Sequence, residues 1–201
     1  KYDGLIGILP IGTGNDLTRS IYEAHSDPQV LEVLTARRWN WIDVGKIRLP
    51  GREVFFINAS VLGFAAKLSR DLRAEVKKWM GSVAYPLAVL GELPELESYS
   101  LEIKLDGGEP ENFTVFNVTI SNGEFLGGGI LAAPQALLDD GKLDLFLFPE
   151  MPVVKGVNLV PTILTGGHVK KEEFTIRSLR RLQFRSDPPL PMNADGEFLG
   201  E

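Results

Sequence analysis

The chain has 201 residues, 44% hydrophobic and 24% charged, with a formal net charge of −6. That is long enough for one large domain or two small ones, and apolar enough to bury a core. The acidic balance disfavours a nucleic-acid binder and a broad cationic membrane-binding face; no apolar run is long enough to cross a membrane. With no cysteine, disulfides and thiolate metal sites are excluded, and a reducing cytosol fits. The two histidines, His25 and His168, have nothing at metal-ligand spacing beside them and read as ordinary surface residues.

Up to Trp39 the pattern is α/β. "LIGILPI" predicts a short apolar strand, "GTGND" a turn, and "DLTRSIYE" a helix with Asn15 or Asp16 at its N-cap. "DPQVLEVLTAR" predicts a second short helix, with Pro28 in its first turn and Val30, Leu31, Val33 and Leu34 on its apolar face. After Trp39 strands dominate. In "WIDVGKIRL", Ile42 and Val44 share one parity and Ile47 and Leu49 the other, so a bulge or bend is expected at Gly45-Lys46.

"REVFFINASVLGF" follows the "LPG" turn. "SYSLEIKLDGG" alternates with Tyr99, Leu101, Ile103 and Leu105 on one face, and "FTVFNVTISN" places Phe116, Val118 and Ile120 opposite Asn117, Thr119 and Ser121. The "DGGEPEN" between them is a hairpin loop. "KLDLFLF" and "FTIRSLRRLQFRS" add strands.

Two helical insertions interrupt the strands. In the first, Leu68, Leu72, Val76 and Met80 repeat every four residues, and Pro86 should break or kink it at Tyr85. The second is "PVVKGVNLVPTILTGG", with a kink at Pro161 and a stop at Gly166. The expected fold is therefore an α/β remnant, residues 1–39, followed by a β-rich sandwich domain with inserted helices, residues 40–201. One strand and two helices cannot form an open parallel sheet alone, so a segment before Lys1 is expected.

Three constellations carry candidate chemistry. Gly12-Thr13-Gly14-Asn15-Asp16 follows an apolar run. Its glycines would let backbone N–H groups approach a phosphate, yet a plain strand-to-helix turn fits as well. The spacing is neither the P-loop nor the dinucleotide fingerprint. "NGEFLGGGILAAPQALLDDGKLDL" contains Gly127, Gly128 and Gly129. Its Asp139, Asp140 and Asp144 could join backbone carbonyls around a hard cation, or form a solvated "DDG" turn. "NADGEFLGE" places Asp195, Gly196 and Glu197 in a turn that could also hold a carboxylate base. The cations of "HVKKEEFTIRSLRRLQFR" read as a solvated strand face, with anionic headgroups as the alternative.

In this order and separation, "PIGTGNDLTR", "NASVLGF", "NGEFLGGG…AAPQALLDDGKLDL" and "DGE" resemble the soluble bacterial diacylglycerol kinase family of lipid kinases, relatives of sphingosine and ceramide kinases and, more distantly, of NAD kinases. The resemblance implies a two-domain lipid-kinase architecture, here with the first domain incomplete, and a cleft where ATP and lipid meet. It implies that Gly12, Thr13, Gly14 and Asn15 lie beside the nucleotide phosphates and that Asp16 belongs to an acidic and water network around the catalytic magnesium. It assigns Asp195 as the general base, with Glu197 close by. It further implies a second, structural Mg2+ held by the Asp140 carboxylate and the backbone carbonyls of Leu137 and Lys142.

The family's other nucleotide motif, "GGDGT", is absent, so the 201 residues alone are expected to bind ATP poorly and to lack kinase activity. The implied partners are a diacylglycerol-like lipid and the inner membrane surface, met transiently and peripherally from the cytoplasm, with no nucleic acid. Exposed edge strands make a homodimer plausible. Three alternatives keep the fold: a kinase for a sphingoid base or phosphatidylglycerol, a non-catalytic lipid-binding or regulatory homologue, and a soluble NAD kinase. The "LLDDGKLDL" block argues against the last.

Overall fold

The computed structural model describes residues 5–12, 14–22, 27–36, 39–71 and 96–201. Two short helices come first, α1 (Asp16–Ile21) and α2 (Asp27–Thr35). Then follow β1 (Gly45–Leu49), β2 (Arg52–Phe56), β3 (Ala59–Gly63) and α3 (Phe64–Asp71). The long β4 (Tyr99–Leu105) and β5 (Glu111–Ser121) precede the two-residue strands β6 (Phe125–Leu126) and β7 (Ile130–Leu131), and β8 (Leu143–Pro149). After α4 (Val153–Leu164) come a 3-10 turn at Gly167–Lys170 and β9 (Thr175–Leu179), β10 (Leu182–Asp187), β11 (Met192–Ala194) and β12 (Glu197–Gly200).

Eight strands form one antiparallel sheet in the order β10-β4-β5-β3-β11-β12, with β8 on β5 and β9 on β8. The eleven-residue β5 holds it together. Its first half pairs with β4, Val115 opposite Tyr99, and its second half runs between β3 and β8. The sheet thus folds over on itself at β5, giving two layers around one core. Tyr99, Leu101 and Ile103 of β4 meet Val118 and Ile120 of β5, Leu145 and Leu147 of β8, Leu62 of β3 and Met192 of β11.

A ladder irregularity between Val115 and Asn117 shifts the side-chain phase of β5. Val115 therefore joins Val118 and Ile120 in the main core, while Phe116 turns to the opposite face. This corrects the simple alternation that grouped Phe116 with Val118 and Ile120. Phe116 meets Phe148, 5.9 Å between ring centroids, in a second cluster with Phe146, Phe174 and Leu159 of α4.

The same cluster takes in His168, whose ring lies 4.7 Å from that of Phe146. His168 is fully buried, and its Nε2 bonds the Ala132 carbonyl at 2.9 Å. It is a core residue, not a surface one, because the chain reverses at Gly166 (φ 74) and turns the imidazole inward. His25 lies outside the described residues.

Three further local expectations change. Residues 5–11 form no strand, and Leu5, Ile6 and Ile11 are exposed: an isolated apolar run gains ladder hydrogen bonds only from a neighbour, and none of the described strands pairs with it. Ile42 and Val44 precede β1, which starts at Gly45. A β-carbon on Gly45 would overlap the ring of Phe56, its cross-strand partner. On α2, Val30 is buried but Leu31 is exposed. Helix α4 runs through Pro161, which falls in its last turn. Of the four-residue apolar repeat only Leu68 is described, buried on α3; Leu72, Val76, Met80, Tyr85 and Pro86 lie outside the described residues. The cations of the "FTIRSLRRLQFR" stretch, Arg177, Arg180, Arg181 and Arg185, are exposed on β9, β10 and the turn between them.

Candidate functional site

The hairpin between β11 and β12 turns on two residues, Asp195 (φ 46) and Gly196 (φ 92). Both are left-handed, the geometry for which Asp-Gly is suited. The turn aims the Asp195 carboxylate at the start of β3. Oδ2 accepts the Ile57 N–H at 2.6 Å, and Oδ1 accepts those of Asn58 and Ala59 at 2.9 and 3.0 Å. Three N–H groups thus fix the carboxylate, and Oδ2 carries only one of them. Asp195 itself stays exposed to solvent, as does Glu197, which opens β12 opposite Ala194.

Asn58 connects this turn to the glycine block. Its carbonyl accepts the N–H groups of Asn122 and Gly123 at 2.8 and 3.0 Å, and its Nδ2 donates to the Phe125 carbonyl at 3.0 Å. Gly123 is required here, since a β-carbon would strike Asn58 Oδ1. Asn122 reaches the other way, its Nδ2 donating to the carbonyls of Ile57 and Asp43 at 2.7 and 2.9 Å. Among the described residues, the buried Asn58 Oδ1, Ser121 Oγ and Asn122 Oδ1 have no partner. Buried polar atoms are normally satisfied, so these three stand out within the seam.

Beyond Phe125 the block meets α1. The Glu124 N–H donates to Ser20 Oγ at 3.0 Å. The Gly128 N–H donates to Asp16 Oδ2 at 3.0 Å and the Gly129 N–H to Asp16 Oδ1 at 2.7 Å. The loop ahead of α1 is held from within: Asn15 (φ 53) accepts the Gly12 N–H on its Oδ1 and donates from Nδ2 to the Pro10 carbonyl, both at 2.9 Å. Its amide group is therefore spent on shaping the turn. Thr13 lies outside the described residues. Burial raises the pKa of the Glu124 carboxyl; a carboxyl in such a seam is a candidate functional group.

The acidic loop after the glycine block is tied to the same seam through Asp43. The Asp43 N–H donates to the Leu138 carbonyl, and the Gly141 N–H to Asp43 Oδ2, both at 2.6 Å. Asp140 accepts the Lys142 N–H at 2.9 Å and stands 3.5 Å from Lys142 Nζ. Burial, and then the neighbouring Asp140, raise the pKa of Asp144. Among the described residues no three His, Asp or Glu side chains gather as a metal cluster. The implied donor set is of another kind, one carboxylate and two backbone carbonyls. Its hard oxygens suit Mg2+, which keeps several waters of its own, and Asp43 brings a second carboxylate to the same loop.

The structure thus joins Asp16 to Gly128 and Gly129, and Asp195 to residues 57–59, with Asn58 between them. It places Asp140 and Lys142 on a separate loop that Asp43 links to Asn122. Asn58, Asn122, Asp43 and Glu124 are the members that sequence reasoning missed. Asn58 stands in "NASVLGF" and Asn122 and Glu124 in "NGEFLGGG", but an asparagine by its type signals no chemistry.

Residues 59–201 match the family described as the YegS C-terminal NAD kinase beta sandwich-like domain. The chain is 31% identical over 196 residues to a diacylglycerol kinase of Mycobacterium tuberculosis, covering 96% of this chain and 62% of that one. It is 27% identical to a diacylglycerol kinase of Bacillus subtilis, covering 97% and 63%. A crystal structure of a diacylglycerol kinase from Bacillus anthracis superposes with a TM-score of 0.63 at 17% identity, over 94% of this chain and 58% of that one, which establishes the shared fold. The chain spans about three fifths of the length of the curated relatives it matches. The match across the sandwich, together with these relatives, makes the chain a member of the YegS-like lipid kinase family, to which the bacterial diacylglycerol kinases belong.

Proposed function

We propose that the full-length protein transfers the γ-phosphoryl group of ATP to the hydroxyl of diacylglycerol or a similar membrane lipid, working from the cytoplasm at the inner membrane surface. One observation supports this above the others. Three motifs far apart in sequence, "GTGND", "NGEFLGGG" and "DGE", are tied together: Asp16 accepts the Gly128 N–H, the chain runs on from Gly128 back to Phe125, and Asn58 donates to both the Phe125 carbonyl and the Asp195 carboxylate.

In this reading the lipid oxygen attacks the γ-phosphorus, a P–O bond forms, and the bond to the β-phosphate oxygen breaks as ADP leaves. The proton of the lipid hydroxyl passes to Asp195 Oδ2, the oxygen with one N–H partner. The turn at residues 12–15, which the family resemblance puts beside the nucleotide phosphates, is held in shape by the Asn15 amide, and Glu197 lies beside the base. Mg2+, when bound, neutralises phosphate charge; Asp140 with the carbonyls of Leu137 and Lys142 would hold a second, structural ion.

The test is a lipid panel, diacylglycerol, sphingosine and phosphatidylglycerol, with radiolabelled ATP and the full-length protein. Labelled phosphatidic acid is the expected product. A folded protein that labels none of them overturns the reading.

A second reading has its own observation. Asp106 (φ 49) forms a similar clamp, its Oδ1 accepting the N–H groups of Arg180 and Arg181 at 2.9 and 2.7 Å, where no chemistry is expected. A non-catalytic lipid-binding homologue could use Asp195 in that way alone, and would bind lipid vesicles without consuming ATP.

A further inference from the structure

Asp16 opens α1 at the end of the glycine turn, a position from which its carboxylate could serve a metal or the protein. Its oxygens are already engaged. Oδ1 takes the Gly129 N–H at 2.7 Å and Oδ2 the Gly128 N–H at 3.0 Å, with Gly128 also 3.2 Å from Oδ1. Gly127, Gly128 and Gly129 all have left-handed φ angles of 63°, 92° and 108°. That left-handed run, open to glycine, brings the successive N–H groups of Gly128 and Gly129 onto one anion. Here the anion is a side chain of the same protein, 112 positions earlier.

The two loops also touch directly. A β-carbon on Gly14 would stand 3.5 Å from Gly128 Cα, ordinary van der Waals contact, so the backbones lie one methyl group apart. From the same short helix, Arg19 Nε donates to the Gly14 carbonyl at 3.3 Å, and its guanidinium lies against Gly129, 3.6 Å from where a β-carbon would be. Asp16 and Arg19 thus grip the glycine block and the turn together.

We propose that Asp16 is a positioning residue, a latch whose carboxylate holds the turn at Gly14 and Asn15 in register with the block at 127–129 through backbone amides. This rests on the lipid-kinase reading for its consequence, which is alignment of the phosphate-side turn with the lipid-side block. A misplacement of about 1 Å in such an alignment costs about a hundredfold in rate. A latch needs hydrogen-bond acceptors; a metal ligand needs the charge.

The experiment compares Asp16→Asn and Asp16→Ala with the wild type in the full-length protein. Amide hydrogen exchange at Gly128 and Gly129 should accelerate about tenfold or more in Asp16→Ala, with β3 and β5 unchanged. In Asp16→Asn it should lie between, since a single carbonyl oxygen can still accept the Gly129 N–H. The kcat should follow the same order, about a hundredfold down for Asp16→Ala, while the Mg2+ concentration for half-maximal activity stays put. Unchanged exchange at Gly128 and Gly129 in both variants overturns the latch. So does a tenfold or greater rise in the Mg2+ requirement of Asp16→Asn. If Asp16→Ala fails to fold, Asp16→Asn carries the comparison. Exchange is read without turnover, so a protein that phosphorylates no lipid refutes the kinase reading while the latch is still tested.

Discussion

Asp195 and Ala59 hold each other by two hydrogen bonds: the Asp195 N–H donates to the Ala59 carbonyl at 2.9 Å, and the Ala59 N–H donates to Asp195 Oδ1 at 3.0 Å. The pair ties the β11–β12 turn to the start of β3, so the proposed base is set in place by backbone. Asp195→Asn keeps an acceptor for part of this clamp and removes the proton-accepting charge. We expect kcat to fall about 10²–10⁴-fold with a stability loss of about 1–2 kcal/mol. Paired kinetics and thermal unfolding check this, and a kcat within about fivefold of wild type would reject the base role.

Asp106 supplies the matched control. Its carboxylate and N–H stitch the β4–β5 loop to Arg180 and Arg181 on the β9–β10 turn. Asp106→Ala should cost about 1–3 kcal/mol, read from urea midpoints, and leave kcat and the KM values of the remaining folded enzyme unchanged. A selective loss of turnover would mean that this hairpin end takes part in the reaction.

Gly45 has no space for a side chain beneath the Phe56 ring. Gly45→Ala must push that ring out of the main core, where Phe56 is almost fully buried. The expected cost is about 1–3 kcal/mol. Gly51, at the exposed β1–β2 turn with φ 78 and open space around it, offers a contrast. There Gly51→Asn should cost well under about 1 kcal/mol, because asparagine tolerates the left-handed region.

His168 links stability to pH. Burial lowers its pKa in the folded state below the usual 6.5. The unfolded chain then binds a proton that the folded one excludes, so stability is full above about pH 6.5 and falls as the pH drops towards the folded value. Urea midpoints of the wild type should decline over that window. His168→Gln keeps a donor for the Ala132 carbonyl but cannot titrate, and should flatten this part of the profile. An identical slope in the variant would assign the decline to other groups.

Much of this was legible in sequence for a plain reason. Strand alternation depends on a period of two, so Tyr99, Leu101 and Ile103 announce the core face of β4 with no knowledge of their partners. Likewise "DG" at Asp195-Gly196 announces a left-handed turn from steric limits alone. The order of the motifs was enough to suggest the family. Contacts across the fold were not legible, because they depend on which distant backbone groups arrive beside a given side chain. Nothing local reveals that Asp16 meets the amides of Gly128 and Gly129, that Asp43 grips the 138–141 loop, or that Asn58 stands between two motifs. Phe116 and His168 follow the same logic: a bulge and a chain reversal, set by packing, decided which way each ring points. Local periodicity and turn sterics determined the elements; long-range hydrogen bonds to the backbone, which no pattern of residue types encodes, decided the site.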